Sequence, residues 1–330
     1  MTTSSRSRGT ALALSAVALT VGLAACSSPG NPSSEVPAAT GTVQIEDNHG
    51  VQTVALPPAR VIATDNRLFQ TLAEWDVPLA AAPVPLIAGD SPYKTDPAIT
   101  DLGSHNEPDL EAVVAVEPDL IINGQRFASF YEDLRTLAPE ASIIELDPRE
   151  TEPLADELKR QVQALGQVFG REEDAQRIVD DFDAAVARVQ AAYDPADRVM
   201  AIITSGGEIN YAAPGTGRTL GPVFDMLGLT PALQADGSTD HQGDDISVEA
   251  IAQSNPDVIL AMDRDAAISA NLETEYVPAD QLIANSEALR NVPAVQQDRI
   301  VYMPQYTYVN EGIQTYTAFF ESLADRLERT

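Results

Sequence analysis

Three arginines stand where the chain could hold an anion. Arg126 and Arg264 each lie within three residues of the end of an apolar run, "DLIIN" and "DVILAM", while Arg218 lies in the glycine-bearing segment "APGTGRTLGPVF". A guanidinium is planar, always charged, and donates in a fork to paired oxygens. Three of them on one concavity would form a strong anion site. The alternative is that these are solvated surface arginines and that the glycine segment is an ordinary turn.

A histidine and two tyrosines could add metal chemistry to such a site. His241 lies in the polar segment "STDHQGDDIS", and Tyr306 and Tyr308 follow the apolar run "RIVYM". Phenolate and imidazole together suit Fe(III) or another hard-to-borderline metal. A lone histidine in a loop is nevertheless more often solvent-facing than functional. No zinc-site spacing or persuasive Ser-His-Asp order accompanies these residues.

The other two histidines have plainer interpretations. His49, in "EDNHGV", is expected in a hairpin turn. His105, in "GSHNEPDLE", is expected to cap the following helix or to lie on the surface.

The elements that must position these side chains alternate between strands and helices. Apolar runs predict strands at "RVIAT", "DLIIN", "ASIIEL", "RVMAIIT", "DVILAM" and "RIVYM", with helices such as "LFQTLAEW" and "LEAVVAV" between them. This order predicts an α/β fold with parallel sheets.

An internal repeat relates two of the arginines. "EAVVAVEPDLIINGQR" begins at Glu111 and "EAIAQSNPDVILAMDR" at Glu249, and their glutamate, proline, aspartate and arginine fall at identical offsets. Pro-Asp before a strand is common turn chemistry, but that turn requires no arginine. Ligands bind at the carboxyl ends of strands in open α/β sheets. Arg126 and Arg264 are therefore expected to face one cleft from opposite walls.

A long amphipathic helix over residues 171–192 is predicted to join two such lobes. Its apolar residues recur every three and four positions: Ala175, Ile178, Val179, Phe182, Ala185, Val186 and Val189. The expected organisation is an N-terminal lobe over 42–170, the linking helix, and a C-terminal lobe over 193–330, with the ligand cleft between two Rossmann-like lobes.

The N-terminus is typical of a secreted lipoprotein. Residues 1–25 combine two arginines with a short apolar run, which predicts a signal peptide, and "LAAC" places the single cysteine, Cys26, at the cleavage point. Residues 26–41 are then expected to be a flexible tether. A formal net charge of −30 argues against nucleic acid or anionic lipid as electrostatic partners.

From about residue 42 onward the chain resembles the siderophore-binding lipoproteins of bacterial ABC importers, most of all those for catecholate (petrobactin-type) ferric siderophores. The segments that carry the resemblance are "EPDLIINGQRFASFYEDLRTLAP", "APGTGRTLGPVFDMLG", "NPDVILAMDRD", "TDHQG" and "PQYTYVNEG". It implies two α/β lobes joined by one rigid helix. It further implies that Arg126, Arg218 and Arg264 clamp the catecholate oxygens. His241 and Tyr308 would ligate the ferric ion, with Tyr306 as the alternative tyrosine.

The resemblance also implies partners. Glu111 and Glu249 would dock on the permease, although a glutamate in the first turn of a helix is equally favoured by the helix dipole. The expected protein is a monomeric, non-enzymatic binding protein without an intrinsic cofactor. Its ligand is a ferric siderophore, and a lipid on Cys26 holds it on the extracytoplasmic face of the cell membrane.

Several alternatives stay open at this point. Within the binding class they are haem, a hydroxamate or citrate chelate of iron, and cobalamin. Outside it they are a secreted metal-dependent hydrolase that uses His241 with the acidic segment 243–245, and a purely adhesive surface protein. A hydrolase would need a second ligand cluster and a placed general base, and the sequence offers neither.

Overall fold

Strands and helices alternate through residues 41–272 and 275–329, which are the residues that this computed structural model describes. The strands are β1 Gly41–Asp47, β2 Gly50–Leu56, β3 Val61–Ala63, β4 Leu79–Ala82, β5 Thr100–Asp101, β6 Gly103–Ser104, β7 Glu107–Pro108, β8 Leu120–Asn123, β9 Ser142–Glu145, β10 Arg198–Ser205, β11 Glu208–Tyr211, β12 Thr230–Pro231, β13 Val258–Asp263 and β14 Ile300–Tyr302. The helices are α1 Phe69–Glu74, α2 Leu110–Val116, α3 Tyr131–Leu137, α4 Leu154–Phe169, α5 Glu172–Ala192, α6 Gly221–Leu227, α7 Val248–Ser254, α8 Arg264–Leu272, α9 Ala279–Asn285, α10 Pro293–Gln296 and α11 Ile313–Glu328. The predicted signal peptide, Cys26 and the tether up to residue 40 lie outside the described residues.

Two separate five-stranded sheets form the framework. The first has the order β5-β4-β3-β8-β9 and is parallel throughout. The second has the order β11-β10-β13-β14, with β12 also pairing with β10, and only β11 runs antiparallel. The prediction of a two-lobed α/β fold with parallel sheets is therefore confirmed.

Both sheets are covered on both faces, which explains why their strands are continuous apolar runs. In β8, Leu120 and Ile122 point to one core and Ile121 points to another. In β13, Val258 and Leu260 alternate with Ile259 in the same way. Helices α2 and α3 cover the outer face of the first sheet, and α7, α9 and α10 cover that of the second.

The inner faces of the two sheets share one continuous apolar core with α4, α5 and α11. Phe182 of α5, for example, packs against Phe320 of α11 with ring centroids 5.9 Å apart. The helix predicted over 171–192 begins at Glu172, and it is supported along its length by α4 and α11 rather than standing alone. A shared core resists relative motion of the two sheets, because such motion would expose its apolar surface to water.

The internal repeat has a structural basis. Asp119 accepts hydrogen bonds from the backbone N–H groups of Ala59 and Arg60, at 2.7 and 2.9 Å. Asp257 accepts from the backbone N–H of Arg198 at 2.9 Å. Each aspartate thus ties the start of its strand to the neighbouring strand, which explains the aspartate in both copies of the repeat.

His49 occupies the tight turn between β1 and β2, as predicted. Its ring also stacks on Tyr131 with centroids 3.7 Å apart, and Nε2 lies 3.1 Å from Glu145 Oε1. None of the helices in the described ranges combines the length and apolarity that a bilayer-spanning segment needs.

Candidate ligand site

Tyr308 is surrounded by the three arginines that the sequence singled out. The Cζ atoms of Arg126, Arg218 and Arg264 lie 5.1, 5.0 and 4.6 Å from the centroid of its ring. We call these three residues the arginine cluster. Guanidinium groups within about 6 Å of an aromatic ring are attracted by its quadrupole. The half-buried ring therefore offsets part of the repulsion that three neighbouring cations would otherwise suffer.

The fold brings these residues together through the ends of strands. Arg126 follows β8, Arg264 opens α8 directly after β13, and Tyr308 lies in a short 3-10 turn after β14. Arg126 lies at the carboxyl end of the first sheet, and Arg264 and Tyr308 lie at that of the second, so residues far apart in the chain converge where these two ends face each other.

The glycine segment holds Arg218 by close backbone packing. A Cβ on Gly217 would lie 2.4 Å from Ala213 N, and one on Gly221 would lie 2.6 Å from Ala213 O. The same approach allows Gly217 N–H to donate to Ala213 O at 2.7 Å. Gly217 and Gly221 thus allow contacts with the backbone of Ala213 that a Cβ would block, so the loop has a defined conformation.

Gly124 likewise permits close packing in the turn that carries Arg126. A Cβ at this position would lie 2.6 Å from Asp65 Oδ2. The next residue, Gln125, has a φ of 52° and donates its N–H to Asp147 at 2.7 Å. The turn that carries Arg126 is therefore hydrogen-bonded to Asp147 and packs closely against the buried carboxylate of Asp65.

Arg218 is held by a buried acid, Glu311. Its Nε and Nη2 donate to the two oxygens of Glu311 at 3.1 and 3.0 Å, and the Thr219 hydroxyl donates to Oε1 at 2.5 Å. Burial would raise the pKa of Glu311, but the charges of Arg218 and Arg67 and the hydrogen bonds outweigh it, so the pKa is lowered. Glu311 is therefore ionised at neutral pH.

The other two arginines keep hydrogen-bonding capacity. Arg126 donates to Gln125 Oε1 at 3.1 Å and to Tyr308 O at 3.3 Å. Arg264 donates through Nη1 to Ser205 Oγ at 3.1 Å, and its buried Nε has no partner in the described part of the chain. A buried N–H without a partner is costly and favours an incoming acceptor.

His241 lies next to the arginine cluster. Its ring centroid is 6.5 Å from that of Tyr308, with an interplanar angle of 40°, and the residue is exposed. Tyr306, the alternative tyrosine, packs like Tyr308 against the small apolar group of Ala88, Ala267 and Val309, but the three guanidinium contacts are made to the ring of Tyr308. Over the described ranges, no group of three or more His, Cys, Asp or Glu side chains could hold a bare metal ion.

Of the two expectations for His105, capping of α2 is wrong, and the residue is partly exposed in a turn. Asp109, not His105, caps α2 by accepting from Ala112 N–H at 3.0 Å. His105 lies in the turn between β6 and β7, where its Nδ1 is buried without a partner in the described residues. Burial and then the charge of Arg126 lower the pKa of His105. It is therefore a neutral neighbour of the arginine cluster.

Glu311 was missed altogether, although it is the only acid in "PQYTYVNEG". Glu111 and Glu249, by contrast, lie where the repeat predicts, each exposed in the first turn of its helix. The caps of the two helices are Asp109 and Ser247, so neither glutamate is needed for capping.

Comparison with known proteins agrees with the resemblance seen in the sequence. The family model described as "Periplasmic binding protein" matches residues 61–307. The ferric-anguibactin-binding protein FatB of Vibrio anguillarum is 31% identical over 254 residues, covering 76% of this chain and 77% of FatB. The petrobactin-binding protein YclQ of Bacillus subtilis is 25% identical over 289 residues, covering 86% of each chain.

Solved structures show the same fold. The crystal structure of YclQ superposes with a TM-score of 0.75 at 23% identity, over 88% of this chain and 100% of that one. The catecholate-siderophore binding protein VctP of Vibrio cholerae gives a TM-score of 0.72 at 21% identity, over 88% and 100%. The family match and the identity to FatB lead to one conclusion: the chain belongs to the periplasmic binding protein family.

Proposed function

We propose that this protein captures an anionic ferric siderophore, of catecholate type, and delivers it to an ABC importer. The observation that carries the proposal is the placement of three guanidinium groups around Tyr308. The proposed lobes are residues 42–170 and 193–330, with the arginine cluster in the cleft between them.

The chemistry of the ligand suits this arrangement. Catecholate oxygens are paired and negatively charged, which matches the forked donors of a guanidinium. A ferric bis-catecholate leaves two positions on the iron, which Tyr308 and His241 would fill in this proposal. No other cofactor is required, and no chemical transformation of the ligand is proposed.

The relatives support the same class of ligand. FatB is named for ferric anguibactin and YclQ for petrobactin. Another relative, YfmC of Bacillus subtilis, is named for ferric citrate. The names of these relatives thus have an iron chelate as the common class of ligand. The arginine cluster favours the anionic chelates of this class.

The proposed location and partners follow the sequence. A lipid on Cys26 would hold the protein on the extracytoplasmic face of the membrane as a monomer. Glu111 and Glu249 would contact basic residues of the permease. Val114, one turn beyond Glu111 on α2, is 47% exposed and extends that surface with an apolar side chain.

Fluorescence titration tests the proposal. The purified protein would be titrated with ferric bis-catecholate, ferric tris-catecholate, a ferric hydroxamate and haemin. We expect saturable quenching by the catecholates that is lost in the double variant Arg126→Ala, Arg264→Ala. The matched control is Arg135→Ala, Arg177→Ala, which removes two arginines that are 68% and 72% exposed and lie outside the cluster.

Other outcomes would redirect the assignment. Binding of haemin or the hydroxamate without the catecholates would keep the transport class and reject the catecholate. Binding of none of the four would reject the proposed function itself.

A further inference from the structure

Glu311 lies behind the arginine cluster and opposes its charge. The residue is 8% exposed and bonds both of its oxygens to Arg218. Only Nη1 of Arg218 is left without a hydrogen bond in the described residues. The edge of the guanidinium formed by Nε and Nη2 is therefore occupied by the carboxylate of Glu311, and Nη1 is available to a ligand.

Arg264 has a similar, looser arrangement. Its Nη1 lies 3.4 Å from Asp265 Oδ1, and the other oxygen of Asp265 accepts Gly206 N–H at 2.6 Å. Arg126 differs, because its partners are the neutral oxygens of Gln125 and Tyr308. Three cations and two paired anions leave a formal charge of +1, by 3 − 2, at the cluster.

A second set of charges surrounds Glu311. Arg67 acts on Glu311 from the first sheet, but its Nη1 is bonded to Asp147 at 2.9 Å and Asp65 lies close by. This extra cation is thus matched by acids of its own. It does not restore the charge that Glu311 removes from the cluster.

The effect on a ligand is partial rather than complete. A ligand oxygen in contact with Arg218 would lie ~4 Å from the guanidinium carbon and ~8 Å from the carboxylate behind it, and Coulomb energy falls as the inverse of distance. Glu311 therefore cancels roughly half of the attraction that Arg218 exerts. Each additional negative charge on the ligand feels the same opposition.

We propose that Glu311 is a specificity-determining residue that limits how much affinity each negative charge of a chelate adds, so that the site discriminates less in favour of highly charged chelates than three unopposed arginines would. This inference rests on the proposed function, since it concerns the same site and the same class of ligand.

A pair of chelates with one shape and two charges tests the inference. A tris-catecholate binds Fe(III) as a trianion and Ti(IV) as a dianion with the same ligand atoms. We expect the wild-type protein to bind the iron complex only slightly more tightly than the titanium complex, because Glu311 cancels part of the attraction of Arg218. In Glu311→Gln the ratio of the two Kd values should shift by about fivefold toward the trianion.

Two further variants make the result specific. Glu157→Gln is the matched control, because Glu157 is a 1% exposed acid bonded by Arg149 and Arg160 in the first half of the chain, and it should leave the ratio unchanged. Asp265→Asn should shift the ratio in the same direction as Glu311→Gln, and it carries the test if Glu311→Gln fails to fold.

The outcomes separate this inference from the proposed function. Binding of both chelates with the same Kd ratio in wild type, Glu311→Gln and Asp265→Asn would overturn the inference and keep the function. Failure of the wild-type protein to bind any catecholate chelate would overturn both.

Discussion

Arg264 makes the closest approach to Tyr308 in the arginine cluster, with its Cζ 4.6 Å from the ring centroid. Arg264 directly follows β13, and Tyr308 lies in the 3-10 turn that follows the neighbouring parallel strand, β14. Adjacent strands of one sheet thus supply a cation and a phenol to the same point. Because the side chain of Arg264 is only 14% exposed and its Nε has no partner within the described residues, this arginine has the most to gain from an acceptor on a ligand.

Arg264→Ala should weaken the binding of a ferric catecholate by about tenfold to a hundredfold, the usual range for a charge-assisted hydrogen bond. Arg264→Lys should recover only part of the loss, because an ammonium cannot donate in a fork. Titration of intrinsic fluorescence measures both. Arg290→Ala, an exposed arginine of the same half, is the control. Equal affinity of Arg264→Ala and wild type would remove Arg264 from the site.

Tyr308→Phe should separate the two roles of this tyrosine. The ring that faces the three arginines is kept, so we expect the thermal midpoint to stay within about 2 °C of wild type. The hydroxyl is lost, so the new visible charge-transfer band that phenolate ligation would add to the chelate's own absorption when ferric bis-catecholate binds should disappear. Tyr306→Phe is the matched control and should keep the band. A band that persists in Tyr308→Phe and vanishes in Tyr306→Phe would show that Tyr306, and not Tyr308, ligates the iron.

Gly217→Ala should distort the loop that carries Arg218. The new Cβ would meet backbone atoms of Ala212 and Ala213, which cannot move as a flexible side chain does. We expect a loss of about 1–3 kcal/mol in the free energy of unfolding, together with weaker chelate binding. Thr216→Ala changes an exposed neighbour in the same loop and should do neither. Urea unfolding and titration check the pair, and unchanged stability in Gly217→Ala would mean that the loop adapts freely.

Asp65 should make stability depend on pH. Burial, and then the neighbouring Asp147, raise its pKa to about 7 against the opposing charge of Arg67. Between 3.8, the value expected when unfolded, and about 7, the folded state keeps a proton that the unfolded state has released. The free energy of unfolding therefore falls as the pH rises through this window.

Asp65→Asn removes that titration and keeps most of the shape. The difference in unfolding free energy between variant and wild type should therefore change between pH 4 and pH 7 and be level above it. Urea unfolding at several pH values gives this difference directly. A difference that is constant across the window would show that Asp65 titrates alike in both states.

The sequence was most informative where a residue's role follows from its own strand. Arg126 and Arg264 were predicted correctly to stand at strand ends, because the apolar runs before them are buried on both faces and hard to mistake. The short strands β4 and β11 escaped notice. "LAAA" has weak β-propensity and "EINY" too few residues to show alternation.

Glu311 shows where such reasoning ends. Its partners Arg218 and Thr219 are 93 and 92 residues away, so their contact depends on how the second sheet is assembled. His105 likewise gained its place beside Arg126 from tertiary packing. The choice between Tyr306 and Tyr308 was open for a local reason, because a 3-10 turn gives no periodicity from which to read the direction of a side chain.

The apolar core shared by the two sheets has a mechanical consequence. Spreading the halves apart would expose part of that core, at about 2.5 kcal/mol for every 100 Å² of apolar surface. The cost of exposing the core therefore favours the resting arrangement of the two halves. In a ligand-binding role, a partner that opened the cleft would have to supply the free energy needed to expose this core. After release of the ligand, reburial of the core would return the protein to its resting shape.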